Sequence, residues 1–259
     1  GHAAIGERFG RNARFASIGS GLSAAAMGAC GYFFSAQSVF LITAALLIPT
    51  LFVLRGLAAA EIDPERAHGN ITGQSCRQPK RQGDPDRPSG RTQPSRSSAA
   101  DLFRLLNNRS LKVFGVCILL FHLSNAAMLP LMGSVLTTRS SEWATVLIGA
   151  CIVGPQLVVA LFSPWVGRQA ERLGRRPLLL AGFAALPIRG LLFATVTDPY
   201  LLVVVQLLDG LTAAVLSVMV PLTVADLTRG TGRFNLVQGV VGTMMGMGAA
   251  LSPTLAGYL

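Results

Sequence analysis

Charge is scarce in this 259-residue chain. Only 13% of its residues are Asp, Glu, Lys or Arg, while 51% are hydrophobic, against about 25% charged in an ordinary soluble domain. With a mean hydropathy of +0.52, this composition excludes a water-soluble globule and puts the chain in lipid. Cysteine is sparse too. Cys30, Cys76, Cys117 and Cys151 lie far apart, form no CxxC pair, and three of them fall inside apolar runs, so no disulfide framework, zinc site or other metal site is expected. Aromatic residues make up 7% and do not interleave with the arginines. The net charge of +10 therefore does not point to nucleic acid, whose bases need such stacking partners. No Walker-type Gly-Lys-Ser/Thr sequence occurs, which leaves ATP-driven transport without a basis in this chain. The chain opens at Gly1 without a signal-peptide pattern and stops at Leu259 inside an apolar run, so it reads as a fragment of a longer protein.

What is present is a series of apolar stretches. About 20 mostly apolar residues cross a bilayer core as a helix, and seven stretches reach that length: 15–34, 36–54, 113–136, 143–166, 177–197, 199–225 and 234–259. The fold class expected is all-α, a polytopic transmembrane helical bundle. Small residues such as Gly19, Gly21, Gly242, Gly246 and Gly248 suit helices that approach closely in lipid. Arg8, Arg11 and Arg14 precede the first stretch, a basic cluster runs from Arg66 to Lys112, four arginines lie at 168–176, and Arg229 and Arg233 precede the last. The opposite loops hold only Arg139. Positive charge stays on the cytoplasmic side, so those four basic segments are expected inside and the chain end outside. Residues 57–112, dominated from Ala67 to Ser98 by Pro, Ser, Gly, Gln and Arg, have too little to bury and read as a flexible basic linker. They divide the chain into a two-span segment, 1–56, and a five-span segment, 113–259. A faint repeat relates Gly10-Arg-Asn-Ala-Arg-Phe15 to Gly230-Thr-Gly-Arg-Phe234, as in transporters built from duplicated halves.

The most informative motif is the turn Gly167-Arg-Gln-Ala-Glu-Arg-Leu-Gly-Arg-Arg176 between two apolar stretches. Gly167 and Gly174 are expected to permit a tight turn. Glu171 can pair with Arg172, Arg175 or Arg176, or sit at a helix N-terminus, and the arginines bar translocation. The pattern G-x-x-x-[DE]-R-x-G-R-[RK] resembles the signature loop of the major facilitator superfamily of secondary transporters, carried here by Gly167, Glu171, Arg172, Gly174, Arg175 and Arg176, with Glu where the family more often has Asp. The resemblance covers the whole chain. It implies two six-helix halves joined by a cytoplasmic linker, with these spans similar to helices five to eleven of twelve and the signature loop acting as a conformational latch against a neighbouring helix end. Gln206-Leu-Leu-Asp209-Gly210 is similar to a second family motif but lacks its arginine. The Gly-Pro-rich antiporter motif is not intact in Gly19–Gly31, which has no proline.

Ionisable side chains in hydrocarbon cost at least about 2.5 kcal/mol each on insertion scales and mark functional positions. Arg189 lies roughly 18 Å from the inner face and Asp209 roughly 15 Å from the outer face, by helical rise. An Arg189–Asp209 ion pair near mid-span is expected, either pinning two helices or serving in coupling. His122 and Asn125 are three apart, on one helical face, and a histidine there can carry a proton near neutral pH. Gln156 and Gln238 complete the candidates for solute or proton contact. Pro130, Pro155, Pro187, Pro221 and Pro253 should bend their spans. The resulting expectation is a proton-coupled secondary transporter of a small solute, multi-pass in a plasma or bacterial inner membrane and monomeric at full length. It has no cofactor, no catalytic residue and no nucleic-acid partner. The rival readings are a heptahelical receptor, disfavoured by the linker after span two and the lack of a lysine inside any span, and a polytopic membrane enzyme, disfavoured by the scatter of His122, Arg189 and Asp209.

Overall fold

A computed structural model describes residues 5–56, 107–139, 143–229, 231 and 233–258. Among these residues the secondary structure is helical, without strands: α1 (Ile5–Phe33), α2 (Ala36–Arg55), α3 (Arg109–Asn125), α4 (Met128–Arg139), α5 (Ala144–Arg172), α6 (Arg175–Thr195), α7 (Pro199–Leu227) and α8 (Phe234–Tyr258). The linker expected over 57–112 lies, as far as residue 106, outside the described residues, as does Cys76.

Among the described residues, six rods are long and apolar enough to cross a membrane: α2, the α3–α4 unit, α5, α6, α7 and α8. The first of the seven expected stretches, 15–34, forms the rear of α1, whose interior of Ala, Gly and Ser falls short of the same hydropathy. The helix also starts ten residues earlier than expected, so Arg8, Arg11 and Arg14 ride on it instead of preceding it. The span 113–136 is in fact two helices that break at Ala126–Ala127. Pro130 has no N–H to return to the Ala126 carbonyl, and the ladder loses a rung there. Pro49, Pro155, Pro164, Pro187, Pro221 and Pro253 are held inside helices.

Local sequence explains the helix starts. Asn108 opens α3 by accepting from Ser110 N–H at 2.9 Å. Asp198 opens α7 by accepting from the N–H groups of Tyr200 and Leu201, with Pro199 at the first helical position, where its missing donor costs nothing.

Helix α7 is the centre of the assembly. It packs against α5 and α6, and α1 lies along α5 while α8 lies along α3. One cluster of buried side chains, including Ile118, Phe121, Leu186, Val220 and Val237, joins α3, α6, α7 and α8. A second, with Ala13, Val166, Leu178, Val218 and Met219, joins α1, α5, α6 and α7. A third, with Met132, Leu136, Leu147, Cys151 and Leu202, closes the far end between α4, α5 and α7. Contact between α5 and α7 depends on Gly210, where a Cβ would stand 2.6 Å from the Pro155 carbonyl oxygen. Outward faces are apolar, as with Phe40, Leu41, Phe52 and Val53 of α2, each at least 66% exposed. Such a surface is tolerated in lipid and promotes association in water.

Candidate functional site

A cavity of about 350 Å³ opens between α3, α7 and α8. His122 and Asn125 face it from α3, as their spacing requires. Asp209, Thr212, Ala213, Leu216, Ser217 and Val220 form one stripe of α7 facing it, and Gln238 and Met245 close it from α8. The hydroxyls of Thr212 and Ser217 donate back to the Leu208 and Ala214 carbonyls of their own helix, which leaves them little to offer a guest. His122 Nε2 and Gln238 Oε1 are buried and have no hydrogen-bond partner among the described residues. Unsatisfied buried polar atoms are costly, and these two belong to side chains that line the cavity. Phe121 meets the His122 imidazole edge-on at 5.3 Å. Four of the six polar candidates, His122, Asn125, Asp209 and Gln238, thus share one space. Gln156 does not: it lies on α5 beside Gly21 of α1, where a glycine Cβ would stand 3.3 Å from its own Cβ. Distance along the chain gave no sign that α5 turns this face to α1.

Arg189 stands behind the cavity wall, 2% exposed. Its Nη1 pairs with Asp209, which is the ion pair expected from depth alone, and its Nη2 donates to Asn125 Oδ1 and to Met128 Sδ, the latter at 3.0 Å. The Phe193 ring lies 5.8 Å from the guanidinium carbon. Charge, hydrogen bonds and an aromatic face offset part of the cost of burying this cation, whose Nε has no hydrogen-bond partner among the described residues.

The signature decapeptide is less of a loop than its sequence implies. Helix α5 runs through Gly167 to Arg172, only Leu173 and Gly174 connect, and α6 starts at Arg175. Gly174 alone carries the turn, with φ of +83°, a conformation that favours glycine. Gly167 does not form the turn. It is buried in α5, and a Cβ added at Gly6 of α1 would stand 2.6 Å from its carbonyl oxygen, so the two glycines let α1 and α5 touch backbone to backbone. Glu171 takes the helix-terminus alternative, accepting from Gly6 N–H at 3.1 Å in the first turn of α1. A carboxylate there meets the positive end of the helix dipole. Arg175 donates from Nε to Asp226 Oδ2 at 2.8 Å and from Nη1 to the Ala170 carbonyl at 2.9 Å. This ties the start of α6 to the ends of α7 and α5. Arg172 and Arg176 are exposed at the same end.

Sequence reasoning missed several of these partners. Asp226, which also holds Arg229 at 3.2 Å, was legible as the acid three positions before a basic residue at a helix end. Phe9, whose ring stacks on Phe234 at 6.5 Å where α1 and α8 begin, had no signal beyond being aromatic. Gln206, 2% exposed with its Oε1 unpartnered among the described residues, sits one turn from Asp209 on α7 but does not line the cavity. Cys30, Cys117 and Cys151 are free thiols.

Compared with known proteins, the chain matches the family model described as Major Facilitator Superfamily over residues 114–259. An uncharacterized MFS-type transporter of Mycobacterium tuberculosis is 38% identical over 252 residues, which is 97% of this chain and 56% of that protein. The class B tetracycline resistance protein of Escherichia coli is 28% identical over 152 residues, 58% of this chain and 37% of that protein. The class G tetracycline resistance protein of Vibrio anguillarum is 32% identical over 111 residues, 43% of this chain and 28% of that protein. The chain therefore spans about half the length of these Mycobacterium tuberculosis relatives. No solved structure gives a significant match.

Proposed function

The chain belongs to the Major Facilitator Superfamily, and on that premise we propose that it is part of a secondary active transporter. It moves a small solute by alternating access, with protons as the coupling ion, in a plasma or bacterial inner membrane. The observation that carries this reading is the cavity itself. A largely apolar space at mid-span gathers one carboxylate, one imidazole and two amides with unsatisfied atoms among them, the pattern of a solute site with a few orienting polar groups. Residues from Arg109 onward form the second half-bundle, residues 1–56 end the first, and the segment between them joins the two on the cytoplasmic side. The relatives' names favour transport over a receptor or a membrane enzyme.

Asp209 carries the coupling proton, because it is the carboxylate on the cavity wall and its charge is balanced by Arg189. Loss of that charge changes what the cavity prefers to hold. Gln238 and His122 orient the solute. The Glu171 contact with α1 is the latch: it joins the second half to the end of the first, and it breaks when the halves rock apart.

Ligand-dependent thermal stability of the purified full-length protein tests the site. Tetracycline is the first solute to try, given the resistance proteins that this chain resembles. A solute that binds should raise the melting temperature of the wild type, since binding the folded state stabilises it, and Gln238→Leu should shrink that rise. An equal rise in Gln238→Leu would place the solute elsewhere.

A further inference from the structure

We propose that Arg189 has a second role: it clamps the break between α3 and α4, and so links the cavity carboxylate to the tilt of α4. The inference rests on the cavity reading for its consequence in transport, while the clamp itself is a matter of geometry.

Three contacts converge on the two-residue break. Asn125, the last residue of α3, and Met128, the first of α4, both receive Arg189 Nη2. Between them Ala127 N–H donates to Ser252 Oγ of α8 at 2.9 Å. The break is mechanically weak, because Pro130 leaves the Ala126 carbonyl without its helical donor. One side chain from α6 thus holds both lips of a hinge, and the other arm of the same guanidinium holds Asp209 on α7. The guanidinium is a rigid planar fork, so Nη1 and Nη2 cannot follow separate partners independently.

Besides Arg189, the ionisable group facing Asp209 on the cavity wall, among the described residues, is His122 of α3. Helix α8 carries no charged residue between Phe234 and Tyr258, α4 carries only Arg139 at its end, and those of α5 lie between Arg168 and Arg172. When Asp209 is neutralised, by a proton or by a cationic group of the solute, Arg189 becomes a buried cation without its counter-ion, which is strongly unfavourable. It turns toward the cavity and its hold on Asn125 and Met128 is lost. At the far end of α4, Arg139 donates to the Thr197 carbonyl at 2.7 Å and the side chains of Met132 and Leu136 pack on α5 and α7, contacts that shift as the helix moves. Helix α4 then tilts about residues 126–127 while α3 stays packed along α8. The polar path runs from Asp209 to Arg189 to the hinge, and its output is the half of this span that lies away from the signature turn.

Pulsed electron paramagnetic resonance on the full-length protein, with native cysteines replaced, tests this directly. One spin-label pair at Thr137 and Thr254 reports α4 against α8, and a control pair at Lys112 and Thr243 reports α3 against α8. A 12-residue helix is about 18 Å long, so a tilt of about 10° moves its end by about 3 Å. Asp209→Asn should shift or broaden the Thr137–Thr254 distance by about that amount and leave the control unchanged. Arg189→Gln/Asp209→Asn, which buries no charge, should do the same with less risk to folding. If the Thr137–Thr254 distance stays as in wild type in the double variant, the clamp is overturned, whatever happens to transport. If the distance moves but a bound solute never moves it, the clamp stands and the cavity reading fails.

Discussion

Gly6 and Glu171 lie 165 positions apart and meet through a single hydrogen bond, which makes Glu171 the informative residue of the signature turn. Its carboxylate satisfies one of the free N–H groups in the first turn of α1, a part-buried contact of about 1 to 2 kcal/mol. Such a modest energy suits a contact that must break in each cycle. Glu171→Gln keeps an oxygen acceptor but loses the charge. It should therefore lower transport several-fold with little effect on the amount of protein inserted, measured as flux against membrane abundance, and equal loss of both would reduce the turn to a topological anchor. Gly167→Ala should be more severe, because its methyl group enters the Gly6 backbone and forces α1 off α5. The sequence made the residues of the turn legible through their spacing. It did not make Gly6 legible, because a backbone N–H leaves no trace in side-chain chemistry.

At the scale of the element, prolines and glycines decide where helices bend and where they touch. Pro130 marks a real break, whereas Pro155, Pro187, Pro221 and Pro253 stay within helices. The difference was not legible from proline itself, since neighbours can re-satisfy the freed carbonyls of a membrane helix. At 126–127 Ser252 takes the Ala127 N–H, and Arg189 bonds the side chains of Asn125 and Met128 on either side. Gly210 presses α7 onto Pro155 of α5. Gly210→Ala should cost about 1 to 3 kcal/mol, the usual range for overpacking, read as a lower unfolding temperature in detergent. An unchanged temperature would mean that α5 and α7 can separate freely. The apolar stretches from α2 to α8 were legible because length and hydropathy fix them. The start of α1 was not, because its charged first turns look like a loop in a hydropathy reading.

Across the whole molecule, basic residues collect at one end, with Arg168, Arg172, Arg175, Arg176 and Arg229 around the turn, and Arg139 stands at the other. A cysteine placed at the exposed Leu173 should react with a membrane-impermeant maleimide only from the cytoplasmic side, and one at Trp143 only from outside, as the positive-inside rule requires. The cavity lies between these ends, and its meeting of His122, Asn125, Asp209 and Gln238 was partly legible through depth along each helix. Which helices face one another was not, because lipid-facing and cavity-facing stripes are both largely apolar. Proton-coupled transport at Asp209 is decided by solute accumulation by the full-length protein in liposomes, with and without an imposed pH gradient. Gradient-driven accumulation is expected in the wild type, with a fall of about tenfold or more in Asp209→Asn, within the usual range of coupling energies. Accumulation in Asp209→Asn that follows the pH gradient as in the wild type would contradict it.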